Sequence, residues 1–171
     1  MKKIKQSVEA DLNPENCSNN LSSKNSRIKE RLGGHYNFST RVYYEDTDSA
    51  GIVYYANYLK FIERARTEML RNIGVTHRNL EEKNGVKFVV KNCFINYLRP
   101  AFLDDNLSIE SRISDLGGAS MKLNQEVFCN GEHLISAVVR LALINKTGAP
   151  SRFPKNLRIL ISKAIQETGV R

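Results

Sequence analysis

Between residues 57 and 72 the chain sets Tyr58, Ile62, Ala65 and Met69 at helical spacing, with Ile73 one step beyond, while Lys60, Arg64, Glu68 and Arg71 fall off that stripe. This predicts a long amphipathic helix with one face to bury, and Gly74 suits its C-terminal cap. Downstream the period changes. Residues 87–98 are rich in Phe, Val, Ile and Tyr, and 107–114 alternate through Leu107, Ile109, Ser111 and Ile113. Segments 119–129 and 133–145 follow, flanking Asn130-Gly131, a strong hairpin signal. Ahead of the helix, Phe38, Thr40, Val42 and Tyr44 alternate as a first strand. One striped helix beside consecutive, short-looped strands predicts an α+β domain, because the helix has nowhere to bury its stripe except across the sheet. Shorter helices are predicted near 79–84, before Gly85, and from Pro154 through Leu157, Leu160, Ile161, Ala164 and Ile165 to Gly169.

The junction between the first strand and the long helix reads Glu45-Asp46-Thr47-Asp48-Ser49-Ala50-Gly51. Carboxylates placed there stand where a helix exposes unpaired backbone N–H groups, an end that favours negative charge. A reaction that develops an oxyanion beside a carboxylate base or nucleophile needs this pairing. The residues by themselves leave Asp48 two readings: the reacting carboxylate, or a cap of the turn. Asp46 either shares a face with Asp48 in an extended run or holds the turn, and Glu45 points away. Gly51 serves a positive φ or a close backbone approach. Asn57 either reaches toward a bound carbonyl or caps the helix, and Tyr54 and Tyr58 read as packing aromatics with a second role lining a pocket.

The order Val42-Tyr43-Tyr44-Glu45-Asp46-Thr47-Asp48, Gly51-Ile52-Val53-Tyr54-Tyr55, Asn57-Tyr58 and Glu63-Arg64-Ala65-Arg66-Thr67-Glu68 resembles the 4-hydroxybenzoyl-CoA thioesterase family of hotdog-fold proteins. It is most similar to the bacterial acyl-CoA thioesterase branch associated with the Tol-Pal system, over roughly residues 38–163. The resemblance implies a hotdog fold, an antiparallel sheet of about five strands wrapped around a long central helix, and hydrolysis of acyl-CoA thioesters to free acid and CoA. It implies that Asp48, the second aspartate of the Asp-x-Asp turn, is nucleophile or general base, and that the backbone N–H of Tyr55 polarises the thioester carbonyl. Many members of the Tol-Pal branch carry histidine where this chain has Tyr55, whereas aryl-thioesterase members carry tyrosine. That departure bears on substrate preference more than on catalysis, since a backbone donor tolerates side-chain change. Another hotdog branch places its essential glutamate on the central helix, which makes Glu63 the second-choice base against the reading of an ordinary ion pair with a nearby arginine.

For the carrier, Gly117 and Gly118 occupy the turn where aryl-CoA members place a basic run for the nucleotide phosphates. Their N–H groups can approach a phosphate or the pantetheine arm, with Lys91, Arg99 and Lys122 as neighbouring cations. The missing run leaves acyl carrier protein open as carrier beside CoA. The family also implies a homodimer or homotetramer whose interface completes each site.

Composition bounds the rest. At 171 residues there is room for one ordinary domain, here 36–171, behind a polar, basic and unstructured tail at 1–35 whose Asn, Ser, Lys and Glu cannot bury enough surface to offset ordering. The net charge of +8 and pI near 9.5 fit a phosphate-bearing substrate as naturally as RNA, so the alternative function is a non-catalytic basic scaffold for acyl carrier protein, a lipid-synthesis complex or nucleic acid; no nucleic acid is expected for the enzyme. Cys17, Cys93 and Cys129 share no close spacing, which argues against a disulfide framework. His35, His77 and His133 are scattered, so no metal site and no cofactor are expected. Neither a signal-peptide core nor a membrane-length apolar run is seen, and the expected location is the cytoplasm.

Overall fold

The computed structural model describes residues 36–167. The expected tail at 1–35 and the Gly169 helix stop lie outside these residues. The elements run β1 (Tyr36–Arg41), α1 (Asn57–Asn72), α2 (His77–Asn84), β2 (Val86–Tyr97), β3 (Asn106–Leu116), β4 (Ser120–Cys129), β5 (Glu132–Asn145) and α3 (Lys155–Glu167). The five strands form one sheet in the order β1-β3-β4-β5-β2, every pair antiparallel. This is the α+β arrangement expected, a sheet curved around a long helix.

The alternation legible in the sequence is what closes the core. In β4, Met121, Leu123, Gln125 and Val127 face inward between half-buried neighbours; in β5, Ala137, Val139, Leu141 and Leu143 do the same. Against them α1 buries Tyr58, Phe61, Ile62, Ala65, Met69 and Leu70, and it lies chiefly over β1 and β3. Phe61 and Ile62 are fully buried, which contributes about 1.5–3 kcal/mol each. Gln125, with Ser111 beside it, is polar on the concave face. Its Nε2 donates to Ile62 O at 2.8 Å and to Ser111 Oγ at 2.9 Å, and its Oε1 accepts from Arg66 Nη1 at 3.2 Å, so one amide ties α1 to β3 and β4.

Two expectations are corrected. The first strand stops at Arg41 instead of reaching Tyr44, because Asp46 closes residues 44–46 into a 3-10 turn. Its carboxylate accepts Tyr43 N–H at 2.9 Å while its own N–H donates to Tyr43 O. In α3 the buried stripe is Leu157 and Ile161; Leu160, expected on it, is exposed. Gly85 does end α2 in the left-handed region, as its position suggests.

Strand β2 is an edge, bonded to β5 alone. Along it Val90, Phe94 and Tyr97 are exposed, Phe94 to 68%, an unusual amount of uncovered apolar surface for an edge. Among the described residues no helix is long and apolar enough to cross a membrane.

Candidate functional site

The acidic turn and the head of α1 are built as one unit. The Asp46 carbonyl accepts Tyr54 N–H at 2.9 Å and the Asn57 side-chain amide at 3.0 Å, and Asn57 N–H donates to Tyr54 O. Asn57 is buried inside the first turn of α1, stapling that turn to the acidic loop. It neither caps the helix nor faces outward, and Ala56 is the residue at the cap position. Between these anchors residues 47–53 form a tight hairpin-like loop, bridged Thr47 to Val53 and held to the chain before β3 by Ile52 opposite Phe102 and by Val53 N–H donating to Ala101 O. Gly51 sits at φ +76° with open space around it, so the left-handed backbone is what requires glycine there, not crowding.

Asp46 and Asp48 do not share a face. Asp46 is 4% exposed and spends its carboxylate on Tyr43 N–H; Asp48 lies exposed on the loop. The 3-10 turn breaks the extended geometry on which the two-residue repeat depends. Asp48 Oδ1 accepts Ala50 N–H at 2.8 Å, an Asx turn, while Oδ2 has no protein donor among the described residues. Glu45 is exposed within the 3-10 turn.

At the head of α1 the N–H groups of Tyr55 and Ala56 donate to no protein acceptor among the described residues. Unpaired amides at the positive end of a helix are ready donors to an anion or a developing oxyanion. Aromatic side chains frame them. Tyr97, from β2, donates its hydroxyl to Tyr55 O at 3.2 Å, and its ring lies edge-on to Tyr55 and Tyr58 at 6.2 and 6.0 Å. Tyr58 is buried and accepts Ala101 N–H at 3.0 Å through its hydroxyl oxygen; burial pushes its pKa up to about 12. The exposed Tyr54 phenol is held above its ordinary value, first by its hydrogen bond with the Tyr55 phenol and, least of the causes, by the negative charge of Asp48.

The other sequence candidates lie elsewhere. Glu63 is exposed on α1 and accepts from Thr67 Oγ1 at 2.8 Å, not from an arginine. In the β3–β4 turn Gly117 N–H is already donated to Ser120 O, while its carbonyl accepts from Arg158 Nη1 at 2.8 Å. Gly118 O accepts Phe153 N–H. Arg158 thus brings a cation to a turn that carries none of its own, a feature invisible in the sequence because α3 delivers it. Lys122 faces Arg140 across β4 and β5, Lys91 sits at the β2 bulge and Arg99 follows β2. Tyr97 was likewise not legible beforehand: a tyrosine in a strand pattern carries no mark of the helix head it meets 42 residues away. Among the described residues no cluster of three or more His, Cys, Asp or Glu side chains is placed to hold a metal.

Residues 42–161 match the family model described as the thioesterase-like superfamily. The chain is 41% identical over 128 residues to the acyl-CoA thioesterase YbgC of Haemophilus influenzae, an alignment covering 74% of this chain and 94% of that one. Over 92 residues, 54% of this chain and 68% of the relative, it is 44% identical to the acyl-CoA thioester hydrolase YbgC of Escherichia coli. A probable thioesterase from Bartonella henselae superposes with a TM-score of 0.68 at 42% identity, over 70% of this chain and 99% of that structure.

Proposed function

This chain belongs to the thioesterase-like superfamily and is a thioesterase, and from that premise we propose that it hydrolyses acyl-CoA thioesters to free acid and CoA, with Asp48 as the reacting carboxylate. The observation that carries this reading is the joint presence, on the loop that leads into α1 and at the head of that helix, of a carboxylate with a free Oδ2 and of two backbone N–H groups with no acceptor among the described residues. The thioester carbonyl oxygen points to the Tyr55 amide, where charge developing in the tetrahedral intermediate is met by a fixed donor and the helix dipole. By the nucleophilic route Asp48 Oδ2 bonds to the carbonyl carbon, the C–S bond breaks, CoA leaves as thiolate, and water hydrolyses the mixed anhydride. By the general-base route Asp48 takes the proton of the attacking water. Both use the same atom. The Asx turn through Oδ1 and the frame built by Asp46 and Asn57 keep it aimed.

The free edge of β2 favours a second copy of the chain as partner. An exposed strand edge carrying Val90, Phe94 and Tyr97 pairs readily with its own kind, and Tyr97 brings that edge to the helix head, so a homodimer or a tetramer built from it completes each site. The domain that does this is residues 36–171.

Free-thiol release across an acyl-CoA chain-length series, with an acyl carrier protein thioester run in parallel, tests the reading. Turnover is expected in the wild type and collapses by about 10²–10⁴ in Asp48→Ala and Asp48→Asn. Undiminished turnover in both, with the fold intact, transfers the role to Glu63.

A further inference from the structure

The concave face is apolar except at one place. The cross-strand row Ser111, Gln125, Ala137 and Ile95 runs from β3 through β4 and β5 to β2, and above it lies the guanidinium of Arg66, only 8% exposed. Its acceptor is the neutral Gln125 amide, and among the described residues it has no ion-pair partner. Glu63, the nearest acid to act on it, is exposed and bonded to Thr67. A buried guanidinium without a counter-charge is costly to a fold and calls for a ligand that supplies one. Past Gln125 the row narrows to Ala137 and then opens. On the inward face of β2, Val90, Cys93 and Tyr97 are uncovered; partial burial raises the Cys93 thiol above its ordinary value, and the Arg66 charge opposes that rise. Tyr97, farther along that same face, bonds Tyr55 O. The uncovered inward face of β2 therefore runs beside α1 from the helix head, where Tyr97 sits, toward Arg66.

We propose that this face receives the acyl group and that Arg66 reads its far end, selecting acyl chains that terminate in a carboxylate. This rests on the thioester reading above and adds the substrate class. From Tyr55 to Arg66 the helix axis advances about 16 Å, and the arginine leans back toward the N-terminus, leaving a gap of roughly 10 Å. At about 1.2 Å per bond of extended chain this fits an acyl chain of about eight carbons.

The test compares kcat/KM for octanoyl-CoA with its ω-carboxyl counterpart suberyl-CoA, and butyryl-CoA with succinyl-CoA, in the wild type, Arg66→Met and Cys93→Asp. The wild type is expected to favour suberyl over octanoyl by about 10- to 100-fold, expressed in KM, as a charge-assisted bond to a buried site implies. The shorter pair, which does not reach, gives a ratio near one. Arg66→Met removes the preference; Cys93→Asp, at an exposed position, supplies the arginine with a resident carboxylate and removes it while the guanidinium stays. Calorimetric binding of free suberate separates the two readings: it binds the wild type and neither variant even if no thioester is turned over. Equal suberyl-to-octanoyl ratios in wild type and both variants overturn the proposal, as does suberate binding that the variants retain. An Arg66→Met protein that falls apart into smaller species without a change in that ratio also overturns it, assigning the guanidinium to a carboxylate of a second copy.

Discussion

Replacing Asn57 tests whether the acidic loop is held to α1 by the bond described. In Asn57→Ala the donor to Asp46 O is lost, but that carbonyl keeps Tyr54 N–H and is not orphaned, so the cost is about 1 kcal/mol. In Asn57→Asp an ionised carboxylate is set against the same carbonyl oxygen in a buried site, which costs about 3 kcal/mol or more. For a chain of this size the melting temperature is expected to fall by about 3 °C in the first variant and about 10 °C in the second at pH 7. The sign of the pH dependence follows from the same contact. Protonated, the new carboxyl donates to Asp46 O; ionised, it is repelled, so its folded-state pKa is raised above the unfolded value. The aspartate variant is therefore most stable below the unfolded pKa and loses stability as pH rises through the folded one. Circular-dichroism melts at pH 4.5 and 7 read this directly. Identical melts for the two variants at pH 7, or a deficit in the aspartate variant that does not shrink at pH 4.5, refute the staple.

Further outcomes follow from the same geometry. Tyr58→Phe leaves the buried Ala101 N–H without its acceptor and costs about 1–3 kcal/mol, read by chemical denaturation. In the wild type, phenolate absorbance shows one tyrosine that does not ionise until about pH 12; since its folded pKa is raised, the associated stability is complete below pH 10 and is lost as pH climbs toward 12, a loss absent from the phenylalanine variant. Gly51→Ala meets no atom yet strains a φ of +76°, so about 1 kcal/mol is lost, and thiol release is expected to suffer more than the melting temperature because the strain falls on the Asp48 loop. Phe94→Asp puts charge on the uncovered β2 edge; light scattering is expected to report a smaller species and the thiol assay a lower rate, and an unchanged mass rules out that edge as the interface.

Most of the fold was legible because period and burial are the same signal: inward residues of β4 and β5 and the stripe of α1 are written as alternation and as helical spacing. The site was half legible. Asp48, Gly51 and Tyr55 stand together because they are neighbours in the chain. Contacts made at long range left no local trace: Tyr97 on Tyr55 O, Arg158 on Gly117 O, Gln125 under Arg66. Leu160 missed its stripe because periodicity marks an apolar face without saying how much of it a neighbour covers.

The amino-acid order alone determined one long amphipathic helix, a run of antiparallel strands and a loop of carboxylates between them, since local spacing decides which side of an element is apolar. Tertiary structure decided which carboxylate is spent and which is free. Asp46 is turned inward by a backbone bond to Tyr43 and pinned by Asn57, Asp48 is left on the surface of the loop, and a lone guanidinium comes to rest over β4. These depend on strand register and on where α1 crosses the sheet, quantities that emerge only when every element has found its partner.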